Sequence, residues 1–189
     1  ALAGVLLVVV IDSNHDPIEK WDALGAKVKR NERGEVVAVY LRPKTAHGDD
    51  VFSNAVMEIR RELGLGPPNF FSDAELVHLK GLTKIRTLSI NSEHVTGPGL
   101  VHLQDLTSLK SLDLKYTGIT DQSLHRLQGL QLTKLSIPES ARTDLGLKHY
   151  LAVRVLKPNA LLDLGEWKAT DAGLAQLKGL GLTSLIIPE

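Results

Sequence analysis

The sequence predicts an α/β solenoid with parallel strands on a concave face, short helices on a convex face, and an irregular N-terminal α/β cap. Three observations predict it. Ser or Thr stands at residues 72, 96, 120, 143 and 170, in steps of 24, 24, 23 and 27 residues, and self-similarity at such a period decides architecture ahead of local propensity. After each of these residues, apolar side chains recur at the spacing of one helical face. Between them lie short segments in which apolar and polar residues alternate, the pattern of a strand buried on one side.

Composition bounds the function before any motif does. Of 189 residues, 43% are apolar and 23% charged, which excludes wholesale disorder. Lys plus Arg and Asp plus Glu are both 22, so a dedicated nucleic-acid binder, which needs a basic excess or stripe, is not expected. With no cysteine, disulfides, thiolate zinc sites and cysteine nucleophiles are excluded.

Taken in chain order, Ala1 to Ile11 (ALAGVLLVVVI) is uninterrupted apolar sequence. As a helix it spans about 16 Å, roughly half a bilayer core. Two readings stand. One is the tail of an anchor or signal segment, followed by Asp12–Asp16 without Lys or Arg, which suits the non-cytoplasmic side of a membrane. The other is a buried strand, because Val5, Val8, Val9, Val10 and Ile11 are β-branched. The first implies an extracytoplasmic or membrane-anchored protein.

Residues 12–71 form the irregular cap. A strand, VVAVYL, starts at Val36, which is 49 residues or two periods before Ile85. Where the intervening strand should fall, Val51 to Leu65 (VFSNAVMEIRRELGL) reads as helical. Gly66-Pro67-Pro68-Asn69 then breaks the helix, and Phe70 and Phe71 are placed to pack under the next unit.

Residues 72–189 form an array of five units. Inward helix positions are Leu76, Leu79 and Leu82, then Leu100, Leu103 and Leu106, then Leu124, Leu127 and Leu130. Leu147, Tyr150 and Val153 follow, then Leu174, Leu177 and Leu180. Inward strand positions are Leu88 and Ile90, Leu112 and Leu114, Leu135 and Ile137, Leu162 and Leu164, Leu185 and Ile187. A Ser or Thr opens each helix, where its hydroxyl is expected to cap a free backbone N–H. Ser72 with Glu75 has the spacing of a reciprocal capping box. One unit cannot close a core, so each strand is expected to pair in parallel with the next. The 27-residue step near Tyr150 to Asn159 marks a small insertion.

The pattern LxxLxLxxTxITDxxLxxLxxL, and within it GITDQSLHRLQGL and KATDAGLAQLKGL, resembles leucine-rich repeat proteins. It is most similar to the TDAGLxxL subtype of bacterial, notably planctomycete, repeat proteins. The lead-in WDALGAKVKRNERGEVVAVYL is similar to the segment preceding the first repeat strand in that group. The resemblance covers about residues 20 to 189 and implies a protein-interaction scaffold, often extracytoplasmic.

The concave face is the natural binding surface of such an array. Its central column reads Tyr40, Ser89, Asp113, Ser136, Asp163 and Ile186. The flanking columns supply Lys134 on one side and Arg42, Asn91 and Lys115 on the other. These ten residues are the expected protein-binding set, weighed against an ordinary solvated sheet face, since aromatic anchors are lacking beyond Tyr40. The edge after Ile187 is a second place for a partner, since a bare parallel edge invites pairing.

Chemistry finds little support. Asp113 and Asp163 lie two strands apart, roughly 9.6 Å, near the upper limit for an inverting glycosidase pair, with no cleft to raise either pKa. His78, His102 and His149 share a helical column, but helices about 10 Å apart keep imidazoles from sharing a metal. His47-Gly48-Asp49-Asp50 falls short of a ligand set. No nucleophile elbow, phosphate loop, HExxH or dinucleotide fingerprint occurs. No metal, cofactor or enzymatic activity is expected. The alternative to the scaffold is a structural subunit of a larger membrane-associated assembly, anchored by the N-terminal segment.

Overall fold

The start of the sheet is a hairpin. β1 (Lys27–Arg30) runs antiparallel to β2 (Val36–Leu41). The turn is set by Asn31, whose Oδ1 accepts from the backbone N–H groups of Arg33 and Glu35 at 3.0 and 2.9 Å; such a side chain mimics a backbone turn. In this computed structural model the described residues are 26–41, 71–156, 161–182 and 184–187. Ala1 to Ile11, Arg42, the helix expected at Val51–Leu65, the His47 loop and Phe70 lie outside them.

The hairpin leads into β3 (Thr87–Ser92), β4 (Ser111–Thr117) and β5 (Lys134–Ser136), each parallel to its predecessor. The result is a mixed α/β fold with a five-stranded, mostly parallel sheet in the order β1-β2-β3-β4-β5. β2 pairs directly with β3, although Val36 and Ile85 stand two periods apart in the sequence. Farther along, β6 (Leu161–Asp163) and β7 (Ser184–Ile186) form a separate parallel pair. Among the described residues no helix is long and apolar enough to cross a membrane.

Short helices connect the strands, and most are 3-10 rather than α: Glu75–Leu79, Pro98–Leu103, Asp121–Leu127 and Glu139–Ala141. The reason is in the sequence. In the first three, leucines recur at every third position, which matches the roughly 3.0 residues per turn of a 3-10 helix and stacks i directly over i+3. The longer α1 (Asp144–Val153) adds Leu151 at i+4 from Leu147 and is α-helical. α2 (Asp171–Leu174) continues as a 3-10 turn, Ala175–Leu177.

The core lies between helices and sheet. Leu76, Leu79, Leu100, Leu103, Leu124 and Leu127 are buried against Leu88, Ile90, Leu112, Leu114, Leu135 and Ile137. Each such side chain contributes about 1.5–3 kcal/mol relative to exposure. Phe71 is fully buried under them, as expected of its position. Its carbonyl accepts from Ser92 Oγ at 2.5 Å, which satisfies one of the few buried polar side chains.

Four expectations are corrected. First, among the described residues only two helix-opening hydroxyls accept from a backbone N–H of their own turn: Ser72 from Ala74 at 3.3 Å, in the expected capping box, and Thr143 from Gly146 at 3.1 Å. Ser72 holds its place through Glu75, whose carboxylate accepts both the N–H and the hydroxyl of Ser72 at 2.7 and 2.6 Å. Second, Ser89 is buried rather than exposed. Third, a bulge in β4 places Tyr116, not Lys115, opposite Asn91. Fourth, the sheet does not run on through all units.

Among the described residues no ladder joins β5 to β6. Earlier strands start alike: Arg86 O accepts the N–H groups of Lys110 and Ser111, and Lys110 O accepts those of Thr133 and Lys134, at 2.8–3.0 Å. At the next step Thr133 O accepts instead from the Arg154 guanidinium at 2.5 Å. Among the described residues two isolated bridges, Leu132–Arg154 and Thr143–Lys168, join the chain after α1 to what precedes it. Among the described residues an arginine side chain is thus the donor at Thr133 O, where backbone donors serve Arg86 O and Lys110 O. A seam opens between β5 and β6.

Candidate functional site

The exposed sheet face keeps most of the expected columns. Tyr40, Ser89, Asp113 and Ser136 stand side by side across β2 to β5, as do Ala38, Thr87, Ser111 and Lys134. Asp163 faces Ile186 across β6 and β7. Tyr40 is half-buried with Lys29 Nζ 5.8 Å from its ring centre. Ser89 is too buried to offer contact area, and Arg42 lies outside the described residues. Asp113 and Asp163 do the same local work: each Oδ1 accepts a backbone N–H two residues on, from Lys115 at 3.1 Å and Gly165 at 2.9 Å. The Asp113 carboxylate thus supports the bulge inside β4, and that of Asp163 the turn after β6.

The β4 bulge brings out an aromatic residue that strict alternation hides. Tyr116 is 60% exposed, with Lys115 Nζ 5.8 Å from its ring centre. Two adjoining hollows lie at the seam, and Tyr116 borders the second. One, about 240 Å³, is walled by Ser136 of β5 and the following Ile137 on one side and by Asp163, Glu166 and Trp167 on the other. The second, about 490 Å³, is lined by Lys115, Tyr116, Glu139, Arg142 and Glu166. Lys115, Arg142 and Glu166 belong to both.

The floor and walls are held by identifiable contacts. Arg142, whose side chain is 15% exposed, pairs with Glu166 and donates from Nη2 to Ile137 O at 3.3 Å. This ties the end of β5 to the segment after β6. Behind them, Tyr150 meets Trp167 edge-on at 5.2 Å, and the Arg154 guanidinium lies 5.5 Å from the Tyr150 ring. Burial pushes the Tyr150 phenol up, partly offset by the Arg154 charge. Glu139 and Lys168 form an exposed pair at 3.1 Å, which contributes little by itself. The surface carries Lys115, Arg142 and Lys168 against Glu139, Asp163 and Glu166, so its charge is balanced. Such a surface selects a partner by the pattern of charge, not by net attraction.

Sequence reasoning named Lys115, Ser136 and Asp163 here but missed Tyr116, Arg142, Tyr150, Glu166 and Trp167. The 27-residue step was the available signal, since an insertion interrupts a regular face where it occurs. Among the histidines, His149 meets His125 of the neighbouring turn, ring centres 6.1 Å apart. Burial lowers the pKa of His149, and the nearby His125 and Lys148 charges add to this. Among the described residues no group of three or more His, Asp or Glu could hold a metal ion.

Comparison of the chain with protein-family models, with curated proteins and with solved structures returns no match.

Proposed function

We propose that the chain is a non-catalytic protein-interaction scaffold of the leucine-rich repeat type, a short solenoid that presents its sheet face to a protein partner. The single observation that carries this is the exposed Tyr116 beside the charge-balanced seam hollows. An exposed aromatic next to a partly buried arginine is the composition of an interface anchor. The succession of leucine-bearing strands and 3-10 turns over one core supports the solenoid reading, and the equal numbers of acidic and basic residues favour a protein over a nucleic acid. An extracytoplasmic or membrane-anchored setting, and the alternative of a subunit in a membrane-associated assembly, draw their support from Ala1 to Ile11 in the sequence.

The test is capture by the immobilised full chain from extract of the source cells, with Tyr116→Ala, Lys115→Glu and His102→Ala variants alongside. Tyr116→Ala and Lys115→Glu should each lose the captured protein while His102→Ala, on the helical side, keeps it. Equal capture by all variants, or none by the parent chain, overturns the proposal.

A further inference from the structure

We infer that His125 and His149 form a two-histidine site for a divalent transition-metal ion of the zinc type, with water filling its other coordination positions. The site lies on the helical side of the fold and does not depend on the scaffold reading.

Helix geometry brings the two rings together. His125 belongs to the 3-10 helix Asp121–Leu127 and His149 to α1, and these two elements lie side by side. A column counted residue by residue puts Arg126, not His125, beside His149. The two helices wind differently, however. Each is opened by a threonine in extended conformation, Thr120 and Thr143. His125 is the fifth residue after its threonine and His149 the sixth after its own. Five steps of about 120° in a 3-10 helix and six of about 100° in an α-helix both come to about 600°. Both imidazoles therefore leave their helices on the same side, and they meet.

The spacing suits a shared ion. The ring centres are 6.1 Å apart with planes tilted by 55°. An ion bound at the usual Zn–N length of about 2.0–2.1 Å lies about 3.2 Å from each ring centre, so a tetrahedral angle asks for about 5.2 Å between centres. Small χ rotations close the difference of about 1 Å, and His125 is exposed and free of packing that would oppose them.

Both rings are prepared as ligands. His125 Nδ1 donates to the Gln122 carbonyl, which leaves the lone pair on Nε2; a second hydrogen bond of this kind orients metal-bound histidines. His149 is half-buried, and burial with the neighbouring positive charges keeps its ring neutral at about pH 7. Asp121 is committed elsewhere, its Oδ1 accepting the Gln122 N–H at 2.7 Å and its Oδ2 the Thr143 hydroxyl at 2.6 Å. Its charge partly offsets that of Lys148 at His149. With no third His, Asp or Glu in the group among the described residues, water completes the shell. Two imidazole donors select Zn²⁺, Ni²⁺ or Cu²⁺ over Mg²⁺ and Ca²⁺, which take oxygen ligands.

The experiment titrates the full chain with Zn²⁺, and separately with Mg²⁺, by calorimetry and by NMR of the histidine rings. Zn²⁺ should bind at one ion per chain and shift the His125 and His149 ring signals together, while Mg²⁺ gives no heat. His125→Ala and His149→Gln should each weaken Zn²⁺ binding by about tenfold or more, because a second ligand on the same chain acts at high effective concentration. His102→Ala, one turn away, should bind as the parent does. Zn²⁺ should raise the melting temperature of the parent, since it binds the folded pair, and should leave that of His125→Ala where it was. Unweakened binding in either pair variant, or ring shifts confined to other histidines, overturns the proposal. So does one ion per two chains with dimer formation, which would put a second copy's side chain where water is assigned. Capture at Tyr116 is read separately, so either idea can fail while the other stands.

Discussion

Leu112 in β4 and Leu185 in β7 occupy the same place in their strands, yet Leu112 has no exposed surface and Leu185 is 42% exposed. Nothing about the residues themselves differs. β4 lies between β3 and β5 under a full row of helix leucines, whereas β7 pairs only with β6 among the described residues. Burial here is a property of the neighbour, not of the leucine. The turns depend on their neighbours too: Asp144 grips the N–H and the hydroxyl of Thr170, which opens the next turn, as Asp73 grips those of Thr96 and Asp121 the hydroxyl of Thr143. A sequence repeat therefore gives equal potential to every position and unequal energy.

The largest effect tests that inequality directly. Leu112→Ala should cost about 2–5 kcal/mol, the range for deleting a fully buried leucine. Leu185→Ala should cost less than about 1 kcal/mol, as for substitutions away from packed features. Denaturant unfolding of the two variants decides. Equal losses would mean that the C-terminal strands are as well covered as the central ones, and the comparison would collapse.

A smaller effect sharpens the steric half of the grip. Gly173→Ser places a side chain against the Asp144 carboxylate and should cost about 1–3 kcal/mol, typical of overpacking. Adding Asp144→Gly recreates the arrangement of Gly97 and Ser123, where glycine stands in the aspartate's place and a Cβ on it would collide with Ser123 Oγ. The double variant should therefore be more stable than Gly173→Ser alone. Contacting sites couple in this way in a double-mutant cycle. Additive losses would show that the Gly97–Ser123 exchange is incidental.

How much of this was legible beforehand differs by feature. The inward leucines of the first four strand segments stood out because each alternates with polar neighbours at a fixed step, and all are buried. Tyr116 did not, because one residue of bulge in β4 turns it outward where strict alternation assigns Lys115. The insertion near Tyr150 was visible as a long step, but its consequence was not: nothing in the step says that Arg154 takes the place of backbone donors at Thr133. The grip was overlooked for a different reason. A Ser or Thr before a helix is ordinarily assigned to that helix's own cap, and the hydroxyls here mostly serve the preceding turn. The signal was present in the Thr-Asp pairs, in glycine three places after Thr96, Thr143 and Thr170, and in the joint exchange at Gly97 and Ser123.

The smallest effect concerns acid. Burial opposes the charge on Asp73, but donations from Thr96, Gly99 and Gly97 outweigh it and hold the carboxyl below its usual range. The hydroxyl and N–H of Thr170 do the same for Asp144. A carboxyl whose folded pKa is depressed contributes stability that is fully present above the unfolded value of about 3.9 and is lost as pH falls through the folded one. Stability should therefore decline below roughly pH 4. In that window Asp73→Asn and Asp144→Asn should each flatten the decline, because an amide does not titrate. Near neutral pH both variants should already be less stable than the parent, having lost charge-assisted hydrogen bonds. Melting curves collected from neutral pH down to about pH 3 check both variants. A parent-like slope in Asp73→Asn would show that the four donors at that carboxylate contribute nothing to stability.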